Sequence, residues 1–265
     1  MESGRPSATS GRSATTTGRP GTASGRPGDT AFRDERRRTR LAEPPLPDDI
    51  DGTLLDDDIT RELSTLSKLN ADHVAKHLVA AGLALDEDPA LALAHAAYAK
   101  SLAGRVGVVR EALGVAAYHA GEYALSLTEL RAARRITGDA SQLPLMADCE
   151  RALGRPDRAL AVAKEPEAKR LDRAAQIELA IVCSGARRDL GQPDAAVLSL
   201  QGPELSTTTV QPWTLRLWYA YADALLAAGR RDEAIEWFGS AAAIDEDDDT
   251  DAAERLAELV DDGGQ

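Results

Sequence analysis

His73 and His77 stand four residues apart in an apolar stretch with helical periodicity, so both imidazoles fall on one helical face, a geometry that can bind a metal. The second position of an HExxH pattern carries Val74 rather than an acid, and His95 and His119 lie elsewhere in sequence. The histidines are therefore expected to be surface or partly buried side chains, with no metal and no cofactor. Ser184-Gly185 lacks the strand–turn–helix setting of a nucleophile elbow. The run Asp245–Asp249 lacks the glycine and spaced ligands of a calcium loop and reads as a solvated face. Arg187-Arg188 and Arg230-Arg231 are of the right type to touch phosphate, but both pairs sit near helix ends, where arginine satisfies carbonyls and the helix dipole. Cys149 and Cys183 have neither the number nor the spacing of a disulfide framework or zinc site, and each sits in an apolar helical pattern as a small hydrophobe. No nucleophile, base and orienter form a set, so no enzyme is expected.

The elements that would position these residues are helical. From about Asp56 onward there is no period-two alternation of useful length, and Gly or Pro recurs at short intervals. Asp56–Asp58 suit a helix start, Pro89 opens the pattern Ala90–Ala103, and Gly104 punctuates it before Val106–Ala120. The longest apolar runs, Leu78–Leu85 and Ala90–Ala99, are divided by Asp86-Glu87-Asp88-Pro89 and fall short of the ~18–20 residues of a membrane span. The N-terminus has arginine without an apolar h-region, so it is not read as a secretory signal and the expected location is cytoplasmic, with no membrane.

Charge divides the chain. Its net of −13 hides an N-terminal stretch, residues 1–40, with nine Arg and four acids, a net of +5; the remainder carries 22 basic and 40 acidic side chains, a net of −18. Residues 1–50 are rich in Gly, Pro, Ser, Thr and Arg, with Phe32 as their one aromatic, and are expected to be disordered because they cannot bury enough to offset ordering entropy. Arginine recurs there every seven residues, at Arg5, Arg12, Arg19, Arg26, Arg33 and Arg40, without the apolar pair of a coiled coil. This arm is either a soluble low-complexity extension or a nucleic-acid arm similar to arginine-rich RNA-binding segments. From Glu43 to Asp58 the charge reverses in an acidic linker stiffened by Pro44, Pro45 and Pro47. Arg outnumbers Lys 26 to 5, which resembles a high-GC bacterial coding bias.

Two amphipathic patterns, Leu215–Ala228 and Asp232–Ile244, are broken by Gly229-Arg230-Arg231. Large residues fall at Trp218, Tyr221 and Leu225, and small ones at Ala222, Ala234 and Ala241. This order resembles the tetratricopeptide repeat (TPR), W-x2-L-G-x2-Y then A-x3-F then P, in all but the closing Pro, where Glu246 stands. Aligning further turns to Gly229 gives copies at Gly121, with Leu113-Gly114, Ser126, Leu130 and Ala133, and at Gly154 and Gly191. The turns are 33, 37 and 38 residues apart, against about 34 in the family. Pro166 and Gly202-Pro203 are expected to shorten two second helices. A weaker copy begins at Asp56 with Asn70 in its turn, and Val106–Ala120 fits either the second helix of one pair or the first of the next.

The resemblance implies an all-α, right-handed superhelix of four to six TPR-like hairpins over 56–261, ending in a polar-faced capping helix at Asp251–Val260. It also implies a protein–protein interaction scaffold whose groove, lined by the first helix of each pair, binds a partner peptide or helix. The family's groove positions correspond to Glu111, Val115, Tyr118 and His119 in one repeat and to Arg216, Tyr219, Asp223, Leu226 and Ala227 in another. Tyr219 and Asp223 stand where some members carry a Lys/Asn carboxylate clamp, so a C-terminal carboxylate ligand gains no support. The alternative is an RNA- or ribosome-associated factor whose basic arm contacts nucleic acid.

Overall fold

Glycine enters the left-handed backbone region without a Cβ penalty, and the four turn glycines do so: φ is 74° at Gly121, 72° at Gly154, 68° at Gly191 and 74° at Gly229. At each, the glycine N–H donates to the carbonyl three residues back and the following N–H donates to the carbonyl five back, as from Glu122 to Ala117 at 2.8 Å and from Arg230 to Leu225 at 2.9 Å. These paired bonds satisfy the last carbonyls of one helix and turn the chain into the next.

The computed structural model describes residues 42–206 and 209–262. Among the described residues there are twelve α-helices and no β-strand. They are α1 (Asp57–Leu63), α2 (Lys68–Leu83), α3 (Pro89–Ala103), α4 (Gly107–His119), α5 (Tyr123–Thr137), α6 (Leu143–Ala152), α7 (Pro156–Val162), α8 (Arg173–Asp189), α9 (Pro193–Leu200), α10 (Thr214–Ala227), α11 (Arg231–Ala242) and α12 (Ala252–Asp262). No helix among them is long and apolar enough to cross a membrane. Five hairpins follow one another, α2/α3 through α10/α11, and each first helix after α2 also packs on the second helix of the preceding pair. The first helices α6, α8 and α10 pack in series, and α12 packs on α11. The described residues thus form an all-α solenoid of TPR-like hairpins, as the resemblance implies.

The register rests on small side chains. Seven residues before each turn glycine stand Gly114, Ala147, Ser184 and Ala222, and five after it stand Ser126, Ala159, Ala196 and Ala234; all eight are buried. At Gly114 a Cβ would lie 2.6 Å from the Leu130 side chain, so α4 and α5 approach too closely for anything larger. Large residues fill the space on either side: Leu113 and Leu130 in that hairpin, Tyr221, Leu225 and Phe238 in α10/α11. Local chemistry sets other ends. Asp88 caps α3 by accepting from the Leu91 N–H at 3.0 Å, Asp172 caps α8 by accepting from Ala175 at 2.8 Å, and Pro89, Pro156 and Pro193 open their helices.

Several expectations change. Asn70 is not in a turn; it lies in the first turn of α2, whose N-cap Ser67 accepts from its N–H at 3.5 Å. The turn of the first hairpin is the acidic stretch between Leu83 and Pro89, which the cap at Asp88 closes without a glycine. The segment Gly107–His119 resolves as the first helix of the second hairpin. Trp218 is half-buried and meets Trp237 edge-on at 5.9 Å, while Leu217 takes the buried position beside it. As expected, α7 stops at Val162 ahead of a 3-10 turn at Pro166–Arg170, and α9 stops at Leu200 ahead of Pro203.

Two carboxylates are buried between hairpins, a feature not foreseen from the sequence. Glu129 of α5 meets Lys100 of α3 at 2.9 Å and Arg110 of α4 at 2.7 Å. Glu150 of α6 meets Arg131 of α5 at 2.6 Å and Arg155 at 3.3 Å. Glu150 occupies the place in its repeat that Leu225 fills in α10, four residues before the turn glycine.

Candidate interaction groove

The first helices present their outward positions on one side, and there an open cleft of about 600 Å³ runs across α4, α6, α8 and α10. Tyr118 and His119 line it from α4, Leu145, Asp148 and Arg151 from α6, Glu178 and Val182 from α8, and Arg216 from α10. The lining mixes half-buried aliphatic surface with paired charges. Arg216 reaches back from α10 to Glu178 at 2.8 Å. Burial holds the Glu178 carboxyl above its usual range although the Arg216 guanidinium pulls the other way.

A chain of polar contacts joins successive first helices along this side. Tyr118 Oη donates to Asp148 Oδ2 at 2.5 Å, and burial with that carboxylate beside it drives the phenol's pKa upward. Arg151, three residues before its turn glycine as Tyr118 is, donates from Nε to Asp189 Oδ2 at 2.7 Å. Arg188, again three before its glycine, donates to Asp223. The donors thus repeat in register with the turns, each handing a bond to an acid of the next first helix.

At the C-terminal end, α12 lies against the positions that the sequence assigns to the groove. Tyr219 donates to Asp251 at 2.6 Å, which helps push its pKa up to about 12, after the larger effect of burial. Arg255 of α12 donates to Asp223 at 3.1 Å and stands 5.0 Å over the Phe238 ring. The acidic run before α12 is folded on itself, with Asp245 accepting from Thr250 Oγ1 at 2.6 Å and from the Asp249 N–H at 2.8 Å.

Of the groove positions read from the sequence, the cleft gathers Tyr118, His119 and Arg216. Glu111 sits at the α4–α6 contact, where it accepts from Gln142 Nε2 at 2.8 Å, and burial raises its pKa. Val115 is half-buried on α4, Leu226 packs against the C-terminal core, and Ala227 is exposed at the end of α10. Tyr219 and Asp223 are engaged by α12. The arm positions Arg5, Arg12, Arg19, Arg26, Arg33 and Arg40 lie outside the described residues. Asp148, Arg151 and Glu178 were not singled out from the sequence, yet the same offsets find them. Counting back six and three from Gly154 gives Asp148 and Arg151, and thirteen back from Gly191, as Arg216 is from Gly229, gives Glu178.

A family model described as a tetratricopeptide repeat matches residues 215–259, which span α10, α11 and most of α12. No curated protein matches the chain.

Proposed function

Starting from a chain that is a TPR-like helical-repeat protein, we propose that it is a non-enzymatic adaptor that holds a segment of a partner protein in the cleft across α4, α6, α8 and α10. The observation that carries this reading is the cleft itself: four first helices share one open, concave lining in which aliphatic patches at Leu145 and Val182 alternate with charged pairs. Such a surface suits an extended or helical peptide, with apolar contacts for affinity and the Glu178–Arg216 and Tyr118–Asp148 pairs for orientation. Protein binding is what the family's fold supports in general.

The test uses a photocrosslinking amino acid placed in the full chain at position 145 or 182, with position 198 on α9 as control, since Leu198 is exposed outside the cleft. Expressed in the native host, the cleft positions should trap one partner that position 198 does not trap. Equal labelling from all three positions, or none from the cleft, sinks the reading. A second reading, contact with RNA through the arm, rests on the seven-residue arginine spacing. It requires co-purified nucleic acid that disappears on nuclease treatment and on removal of residues 1–50.

A further inference from the structure

The geometry points to a divalent transition-metal site, of the zinc class, formed by Glu43, His73 and His77 where the acidic segment before the helices crosses α2. His73 and His77 are one helical turn apart on α2, with ring centroids 5.0 Å apart. Glu43 Oε1 lies 3.1 Å from His73 Nε2 and 3.5 Å from His77 Nε2, and the three ligand atoms all fall within 4.8 Å of one another. Metal–ligand bonds of 2.0–2.1 Å in a tetrahedron place neighbouring ligand atoms about 3.3–3.4 Å apart. The two distances to Glu43 bracket that edge.

The second observation is an orphaned atom. His77 is fully buried, and its Nε2 has no hydrogen-bond partner. Its Nδ1 lies 2.9 Å from Nδ1 of His95, which is 1% exposed. One of those two nitrogens must donate. If His95 donates, His77 carries its proton on Nε2, a buried donor with Glu43 Oε1 3.5 Å away and no well-formed hydrogen bond. If His77 donates, Nε2 is a bare lone pair aimed at Glu43 and His73. The second tautomer is what a metal ligand requires, and a cation there satisfies an atom that otherwise stays unpaired.

The surroundings are built in the same sense. Tyr98 of α3 donates to Glu43 Oε2 at 2.9 Å, leaving Oε1 toward the histidines. Pro44 is buried, and the 3-10 turn at Gly52–Leu54 lies so close on α2 that a Cβ on Gly52 would be 2.8 Å from that of Ala75. The acidic segment is therefore seated on α2 at both ends of its crossing. His73 and Glu43 are 37% and 48% exposed, which gives a cation a path in and leaves the fourth position for water or a partner's ligand. A bound ion would fasten this segment to the first hairpin.

The test is a titration of the full, chelator-treated chain with Co²⁺ and then Zn²⁺. One equivalent of Co²⁺ should produce the visible absorption of a low-coordinate site, Zn²⁺ should erase it, and Zn²⁺ should raise the melting temperature. Glu43→Gln and His73→Asn change exposed side chains and should abolish both responses while circular dichroism stays unchanged. His95→Asn, a positioning variant, should weaken Co²⁺ binding about 10–100-fold at unchanged stoichiometry. The inference is overturned by a wild-type chain without the visible band, or by Glu43→Gln and His73→Asn variants that bind as the wild type does.

Discussion

At the scale of the residue, the cleft contains an ionisable group whose state depends on burial more than on its ion pair. Glu178 has a pKa raised by desolvation, and Arg216 opposes the shift only in part because it is largely exposed. A carboxyl whose folded pKa lies above its unfolded value takes up a proton more readily folded than unfolded, so its ionised form weighs against the fold at neutral pH. That penalty is lifted as pH falls through the raised value towards the ordinary glutamate range. Glu178→Gln is therefore expected to melt at or above the wild-type temperature at pH 7, with the difference shrinking in acid. A thermal melt series across pH checks this, and a gap that stays constant with pH contradicts it. Legibility at this scale was uneven. The small positions were readable because Ala222 and Ala234 recur against a turn marker, and both are fully buried. The burial of His77 and His95 was not, because spacing along α2 shows which side chains share a face but not which neighbouring helix covers it.

At the scale of the element, four of the five hairpins use one turn, and the first does not. Nothing lies within 4 Å of a Cβ added at Gly191, and the same holds at Gly121, Gly154 and Gly229. An alanine at any of them meets only the backbone penalty of positive φ, about 1–2 kcal/mol. Gly191→Ala and Gly229→Ala should then be destabilised alike in urea melts with unchanged slope; a much larger loss at one means that turn also carries tertiary packing. The same uniformity made these turns visible in the sequence. The first hairpin escaped because an aspartate cap and Pro89 do the work of the glycine, and Asn70, a turn-former by type, is absorbed into α2 once Ser67 caps it. Hidden too were Glu129 and Glu150, since Lys100, Arg110 and Arg131 lie on other helices, 19 to 29 residues away, and Arg155 alone is near its partner in sequence.

At the scale of the whole molecule, a stack of hairpins is stabilised by neighbours and must be closed at its end. Helix α12 buries Ala252 and Leu259 against the α10/α11 hairpin and holds Tyr219 and Asp223 by hydrogen bonds. Removing residues 252–262 should lower the melting temperature and produce concentration-dependent association, read by size-exclusion chromatography. A truncated chain that stays monomeric with an unchanged melt would mean that α12 is an appendage. The polar chain beside the cleft gives this helix a further meaning. Tyr118, Arg151 and Arg188 each pass a bond forward to the next first helix, but the matching place on α10 is Leu226, which has nothing to pass. Arg255 instead reaches backward, so that Asp223 receives from both sides. In the language of polymers, the pattern of one forward donor per unit lapses at α10, and its acceptor Asp223 is filled from both neighbours, by Arg188 and by Arg255.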